Sequence, residues 1–152
     1  MQHELEQESI RSAMRDAWAD HHHARTQTWE ALKIELALVA GIVAANWLHT
    51  SAWGTVISCF LVAAAALSGI QITIHHRNRV EIDKFRHIMH CEEALSLRDD
   101  NLIDGVSMPQ PIRLWHALCP WKKNTALFIL RMHLAIMVFA LLLLFGRLSK
   151  LL

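Results

Sequence analysis

The chain has 152 residues, of which 53% are hydrophobic, and its formal net charge is +1 at pH 7. The near-neutral balance, without a basic cluster interleaved with aromatic residues, excludes nucleic acid as an expected partner. The length predicts a single domain, residues 1–152, and the hydrophobic residues are concentrated in three runs, which predicts an all-α integral membrane protein.

The N-terminal segment, residues 1–33, is predicted to be a cytoplasmic helix. It contains no Gly or Pro, and its apolar side chains recur at three- and four-residue steps, which is typical of a helix with one buried face. The residues of this stripe are Ile10, Met14, Ala17, Trp18, Trp29 and Leu32. No short apolar core precedes a small-residue cleavage site, so we expect the first membrane span to act as its own insertion signal.

Two apolar runs follow, Leu36–Leu48 and Val56–Ile74, and residues 36–76 contain no Lys, Arg, Asp or Glu. One membrane span takes about 20 residues, so this uncharged stretch is too long for one span and suits two. We therefore expect a helical hairpin with spans at residues 34–53 and 54–75.

Residues 76–123 are predicted to form a cytoplasmic helix and then a loop. No Gly or Pro separates Ile74 from Leu97, so the second helix is expected to continue beyond the membrane. A helix from Thr55 to Leu97 would be about 65 Å long, roughly twice the hydrocarbon thickness. Turn-forming residues then predict a loop, and residues 112–121 predict a short amphipathic helix on the membrane surface.

The third apolar run, Thr125–Phe145, is predicted to be a third span at residues 124–146. Its uninterrupted apolar part, Leu134–Phe145, has only 12 residues. It can cross if Arg131 reaches the headgroups and the helix continues to the end of the chain. The alternative is a helix that packs within an oligomer or lies in the interface.

The distribution of Lys and Arg predicts the orientation in a bacterial inner membrane. Residues 77–123 hold eight of the 15 Lys and Arg residues, and the turn at residues 49–55 holds none. Positive residues favour the cytoplasmic side, so we expect the N-terminus and residues 77–123 in the cytoplasm. A third span places Arg147 and Lys150 outside, against this trend.

Small residues recur at four-residue spacing inside both hairpin spans. In lipid, close backbone approach at small residues supplies helix packing, so these faces predict self-association into a homo-oligomer. The alternative is the packing of the hairpin against itself. The residues are Ala37, Gly41 and Ala45 in the first span, and Ala65, Gly69 and Thr73 in the second.

Polar residues inside the spans bond helix to helix or line a water-filled path. They are Asn46, Ser58, Ser68, Gln71 and Thr73. Glu35 is the ionisable group that we expect to be functional, and an acid at that depth needs a partner. We predict that it pairs with Arg77 at the membrane interface, with His75 as the alternative partner.

Four residues on the cytoplasmic helix have a spacing that metal ligands can adopt: Asp83, His87, His90 and Cys91. The segment His21–His23 would complete such a site. No CxxC or HExxH motif accompanies them, and a charged, solvated helix explains the same residues. We therefore expect no metal and no cofactor.

Enzyme signatures such as GxSxG, a Walker loop or GxGxxG are absent, so we expect no catalytic activity.

The chain resembles RipA-like small bacterial membrane proteins, because its two-span hairpin is followed by Arg77, then by Lys84-Phe85 and Glu93-Ala94-Leu95. The layout over residues 25–100 also resembles the two-span SLATT effector modules of nucleotide-signalling defence systems. The resemblance implies a non-enzymatic oligomer, octameric in the first case and pore-forming in the second.

These patterns predict a homo-oligomeric membrane scaffold or pore whose partners are the lipid bilayer and other copies of the chain. The cytoplasmic part of the hairpin is expected to regulate the assembly and to bind a cytoplasmic protein partner. The alternative function is a metal- or haem-binding accessory subunit of a membrane redox complex, in which His49 and His133 would be haem ligands.

Overall fold

A computed structural model of the chain describes residues 2–48, 51–96, 108–119 and 124–151. These residues form α1 (Gln2–Leu48), α2 (Ala52–His75), a π-helical segment (His76–Glu81), α3 (Ile82–Ala94), a 3₁₀ helix (Leu114–Leu118) and α4 (Thr125–Leu151). The described ranges contain no strand, which confirms the all-α prediction. Among the residues that the structure describes, three helical stretches are long and apolar enough to cross a membrane: Glu4–Leu48, Ala52–Ala94 and Thr125–Leu151.

The chain divides into two compact units. One unit, here called the polar unit, contains Met1–Gln27 and His75–Pro111; the other, the apolar unit, contains Thr28–Ile74 and Ile112–Leu152. The first two unit boundaries, 27/28 and 74/75, fall near the predicted junctions at 33/34 and 75/76, whereas the third, 111/112, lies before the predicted junction at 123/124.

In the apolar unit, α1 and α4 run in the same direction and α2 runs opposite to both. Near the start of α4, the rings of Trp29 and Phe128 lie 6.2 Å apart. At the other end, Arg147 lies over the ring of Trp47. Two groups of buried apolar side chains fill the unit. One contains Ile70, Ile112, Ala117, Ala126, Leu127 and Leu130, and the other contains Val39, Val62, Ala140 and Leu144.

In the polar unit, the first half of α1 packs against α3. The Trp18 and Phe85 rings meet edge to face at 5.8 Å, and the Lys84 ammonium lies 2.5 Å from a carboxylate oxygen of Asp20. Helical structure continues from α2 through the π-helical segment into α3, as the absence of Gly and Pro predicts. Ser96 then adopts a left-handed conformation with φ of 52°, which ends the helix. The predicted loop at residues 97–107 lies outside the described residues.

The predicted amphipathic helix at residues 112–121 is a shorter element in the structure. Only Leu114–Leu118 are helical, as a 3₁₀ helix, and residues 120 and 121 lie outside the described ranges. Arg131 donates hydrogen bonds to the carbonyl oxygens of Ala117 and Cys119, at 3.0 and 2.5 Å. These hydrogen bonds satisfy carbonyl groups at the end of the 3₁₀ helix, so the Arg131 side chain connects this element to α4.

Candidate functional site

Three helices of the apolar unit each bring one polar side chain to a common buried position. Glu35 comes from α1, Thr73 from α2 and His133 from α4, and we call these residues the Glu35 cluster. The Glu35 and His133 side chains are only 2% and 0% exposed, and Nδ1 of His133 is hydrogen-bonded to Oε2 of Glu35. Nε2 of His133 lies 3.0 Å from Oγ1 of Thr73. The cluster therefore joins all three apolar helices through side-chain hydrogen bonds.

Gly69 makes this arrangement possible. A Cβ atom at position 69 would lie 2.5 Å from Oε2 of Glu35 and 2.7 Å from Nδ1 of His133. Both distances are far inside van der Waals contact, and both atoms belong to buried side chains with little room to move. The glycine thus provides the space in which the carboxylate and the imidazole meet, four residues before Thr73 on the same helix.

The cluster pairs a carboxylate with an imidazole. Because an ionised carboxylate oxygen only accepts hydrogen bonds, the Glu35–His133 contact requires a proton between Oε2 and Nδ1. The pair has no net charge when Nε2 of His133 also carries a hydrogen, and a pair without net charge is the form that an apolar interior tolerates. In that form the Thr73 hydroxyl accepts a hydrogen bond from Nε2. Oε1 of Glu35 is buried and has no hydrogen-bond partner among the described residues.

The two residues of the predicted Glu35–Arg77 ion pair each have a partner within their own unit. Glu35 pairs with His133, and Arg77 pairs with Glu81, one helical turn further along the chain. The sequence argument identified the acid that needs a partner but looked for it on the adjacent span. The histidine at the start of the third apolar run was the available signal, since it is an ionisable residue within a stretch that must otherwise be buried or in lipid.

The same geometry bears on the proposed haem ligands. Both ring nitrogens of His133 make hydrogen bonds within the Glu35 cluster, so neither is directed at an axial ligand position. His49 lies outside the described residues.

A second polar contact joins α1 to α2 near the turn between them. The amide nitrogen of Asn46 donates hydrogen bonds to the hydroxyls of Thr55 and Ser58, each at 3.2 Å, and all three residues are buried. Thr73 belongs to the Glu35 cluster. Three of the five polar residues predicted to line a path or bond helices therefore bond helices within one chain. The other two, Ser68 and Gln71, are exposed.

The two predicted small-residue faces have different surroundings. Ala37, Gly41 and Ala45 are exposed on α1, and a Cβ at position 41 would meet no atom within 4 Å. On α2, Ala65 packs at the edge of a buried apolar group, Gly69 lies against the Glu35 cluster, and Thr73 belongs to that cluster. The α2 face thus packs against side chains of the same chain, and the α1 face is exposed.

The polar unit contains a buried ion pair in its π-helical segment. Arg77 and Glu81 have side chains that are 11% and 8% exposed. His21 of α1 is buried with its Nδ1 unpartnered among the described residues, and burial lowers its pKa, against an opposing effect of the Glu81 carboxylate. Burial also lowers the pKa of His76. Single π-helical turns inside α-helices are frequent at functional positions, so this segment is a second place where the chain departs from regular packing.

The residues considered as metal ligands do not form a group in the structure. Cys91 is buried, whereas Asp83, His87 and His90 are exposed. Asp83 lies near Arg86, and His90 lies 3.6 Å from Glu93. No group of three His, Cys, Asp or Glu side chains within the described ranges could hold a metal ion. The absence of a metal stays a prediction.

Comparisons of the chain with protein-family models, with curated proteins and with solved structures find no match. The case for a function therefore depends on the geometry of the two units.

Proposed function

We propose that the chain is an integral membrane protein that crosses a bacterial inner membrane three times and self-associates into a scaffold or pore. The apolar unit is the membrane part, and the polar unit is the cytoplasmic part that regulates the assembly or binds a protein partner. The Glu35 cluster holds the three spans of each subunit together.

The surface of the apolar unit supports the membrane part of this proposal. Large apolar side chains are exposed on all three helices, among them Leu38 on α1, Phe60 on α2 and Phe139 on α4, with exposed fractions of 54%, 73% and 65%. Soluble monomers rarely leave large continuous apolar surfaces open to water, whereas a lipid environment requires them. Trp47 and Trp53, at the end near the α1–α2 turn, are 58% and 79% exposed and suit a membrane interface.

The main support for self-association comes from the position of Gln71. It is exposed on the apolar helix α2, one turn before the helix ends at His75, and its amide has two donors and one acceptor that lipid cannot satisfy. Ser68, one turn away, is also exposed but bonds the carbonyl of Ala64 on its own helix at 2.9 Å. A Gln side chain has no such local solution, so it needs a partner on another subunit.

The exposed α1 face of Ala37, Gly41 and Ala45 supplies a surface that suits such a contact. Small residues let helix backbones approach closely, which is the main source of packing energy between helices in lipid. No side chain of the same unit fills the space beside Gly41. The same reasoning favours contacts between subunits over a pore through one subunit, because the buried polar side chains are already bonded within it.

A non-enzymatic oligomer is also what the resemblance to RipA-like and SLATT-type proteins implies, and that kinship is part of the proposal. The rival, a haem- or metal-binding subunit, gains no support from His133, whose ring nitrogens are both engaged.

The test compares two exposed glycines with the same local freedom. Neither Gly41 on α1 nor Gly146 on α4 has an atom within 4 Å of the position a Cβ would take, so the side chains of Gly41→Leu and Gly146→Leu both begin in open space. Membrane fractionation followed by mass determination in mild detergent should find an oligomer for the wild type and for Gly146→Leu. Gly41→Leu and Gln71→Leu should shift it to smaller species. A monomeric wild type, or an unchanged mass for both of the latter variants, would refute self-association.

A further inference from the structure

The Glu35 cluster has two buried positions at which a proton can be gained or lost. The first is Oε1 of Glu35, which has no hydrogen-bond partner among the described residues. The second is Nε2 of His133, whose contact with the Thr73 hydroxyl at 3.0 Å needs one hydrogen that either atom can supply. Both positions belong to side chains that are at most 2% exposed.

Three protonation states keep the same contacts. When Nε2 carries no hydrogen, it accepts from the Thr73 hydroxyl, and the Glu35–His133 pair is an anion. A hydrogen on Nε2 makes the pair neutral and the hydroxyl an acceptor, and a Thr hydroxyl can then donate to a carbonyl one turn earlier on its own helix. A further proton on Oε1 gives a cation in which Oε2 still accepts from Nδ1. The cluster can therefore change its charge without losing its hydrogen bonds.

The charged side chains next to the cluster in sequence have partners of their own. Lys33, two residues before Glu35, pairs with Glu30 at 2.7 Å. Arg131, two residues before His133, donates hydrogen bonds to two carbonyl oxygens of the 3₁₀ element. The α2 helix contributes a hydroxyl and a glycine to this position, and neither group titrates in the physiological range. The charge at this position therefore changes with the protons on Glu35 and His133.

One end of the apolar unit brings exposed polar groups close to the cluster. The side chains of Lys33 and Glu30 are 68% and 54% exposed. Lys33 precedes Glu35 by two residues, which corresponds to about 3 Å along the helix axis. Protons reach buried groups through local openings of the packing, and the smallest opening suffices where exposed polar surface is nearest. Proton exchange is therefore expected from this end.

In the other direction, the unit is apolar as far as Asn46. The ten residues between Glu35 and Asn46 have no polar side chain, and the two positions are about 17 Å apart along the helix. Val39, Val62 and Leu144 pack together in this interval and are at most 4% exposed. Among the described residues, no buried polar side chain lies between the two polar contacts. A proton path through one subunit is therefore interrupted here.

We propose that the Glu35 cluster is a proton-binding site that exchanges protons with the cytoplasmic end of the spans. The pH on that side then sets the net charge held between the three helices. A purely structural contact has no use for the second carboxylate oxygen, because a buried acceptor without a partner lowers stability. Ionisable groups in membrane spans are costly and commonly serve proton or ion binding. The inference rests on the proposed membrane function, because a membrane separates the solutions at the two ends.

Infrared difference spectroscopy of the full-length protein in lipid vesicles detects the carbonyl stretch of a protonated carboxyl group. The pH is lowered from about 9 to about 4, a range that includes the ordinary pKa values of His and Glu. The wild type should gain the band of a buried carboxyl, and Glu35→Gln should lack it. Glu30→Gln is the matched control, since it removes an exposed carboxylate of the same helix and should keep the buried band.

Vesicles of the two orientations test the side of access. The internal pH is held by an impermeant buffer while the external solution is acidified. Inverted vesicles, whose outer face is cytoplasmic, should gain the Glu35 band, and right-side-out vesicles should not gain it on the same time scale. An equal response in both orientations, or a response in right-side-out vesicles alone, would overturn the proposed one-sided site.

A second measurement uses the wild type, in case thermal unfolding shows that Glu35→Gln does not fold. A hydrophobic carbodiimide adds to protonated carboxyl groups in lipid, and peptide mass spectrometry should locate it on Glu35 in amounts that increase as the pH falls. Absence of the Glu35 band, or modification of Glu35 that does not increase with acid, would overturn the proposal. A protein absent from the membrane fraction would instead refute the membrane function itself.

Discussion

His133 on α4 and Glu35 on α1 are 98 residues apart in sequence and form a hydrogen-bonded pair that is almost completely shielded from solvent. Thr73 engages the other imidazole nitrogen, and Gly69 provides the space for the pair. This contact ties the last apolar helix to the hairpin formed by the first two. Its contribution to the free energy of unfolding requires both partners, because either charge alone would be costly in an apolar interior.

Removing one partner should therefore destabilise the protein more than removing both. His133→Leu leaves the Glu35 carboxyl buried without its partner, and we expect the free energy of unfolding to fall by about 3 to 5 kcal/mol. Glu35→Leu/His133→Leu replaces the pair by apolar side chains and should recover most of that loss. Thermal unfolding in detergent measures both.

The control for this comparison is Glu30→Gln on the same helix. Its ion pair with Lys33 is exposed, so the variant should stay within about 0.5 kcal/mol of the wild type. If the double variant were as unstable as His133→Leu, the loss would reflect side-chain volume, and the unpaired-charge explanation would fail.

Two glycines should respond in opposite directions to the same change. Gly69→Ala puts a methyl group within 2.7 Å of the buried His133 ring, so we expect clear destabilisation. Gly146→Ala, outside the proposed contact between subunits, adds its methyl group to open space in a helix and should raise the free energy of unfolding by about 0.5 to 1 kcal/mol. The melting temperatures of the two variants test these opposite effects on stability. Equal shifts would mean that Gly69 does not hold the close approach described above.

The polar unit should lose stability in mild acid. Burial lowers the pKa of His21 below its ordinary value of 6.5, so the unfolded chain binds the proton more readily than the folded one. The stability that the neutral imidazole contributes is present above pH 6.5 and is lost as the pH falls through 6.5 towards the lowered pKa of the folded state. His76 acts in the same direction.

Thermal unfolding as a function of pH tests this expectation. His21→Phe should flatten the dependence, because the ring contact with Phe85 at 4.7 Å can be kept by another aromatic side chain. His87→Gln, at an exposed position of α3, should leave it unchanged. A pH dependence that is identical in His21→Phe and the wild type would exclude His21 as its source.

Metal removal should have no effect on the polar unit. His87 and His90 are exposed, so His87→Ala and His90→Ala should each stay within about 0.5 kcal/mol of the wild type. A chelator should leave the melting temperature unchanged. Cys91 is buried, so Cys91→Ala is expected to be destabilising for packing reasons alone and is not a clean test. Stoichiometric zinc whose removal lowers the melting temperature would show that a structural metal had been missed.

The helices follow from local sequence, and the Glu35 cluster does not. Charge-free apolar runs and the absence of Gly and Pro over long stretches predict α1, the continuous helical structure from α2 to α3, and α4. The partner of Glu35 depends on how α4 packs beside α1. The periodicity of a single segment does not predict that packing. Arg131 illustrates the same limit. The sequence predicts that it reaches the headgroups, and the structure directs it to backbone carbonyls of a 3₁₀ helix.

The small residues show where a pattern is ambiguous. Four-residue spacing predicts a packing face but does not state whether the neighbour is the same chain or another copy. Gly69 approaches buried polar side chains of its own unit, while Gly41 faces open space. Only the tertiary arrangement separates these cases.

Cysteine labelling of a cysteine-free variant with an impermeant reagent tests the three crossings most directly. We predict that Ser51→Cys, near the α1–α2 turn, and Ser149→Cys, near the end of α4, react from outside the inner membrane of intact cells. Asp100→Cys should react only after the membrane is opened. Labelling of Asp100→Cys from outside, or protection of Ser149→Cys until the membrane is opened, would contradict a three-span protein with a cytoplasmic polar unit.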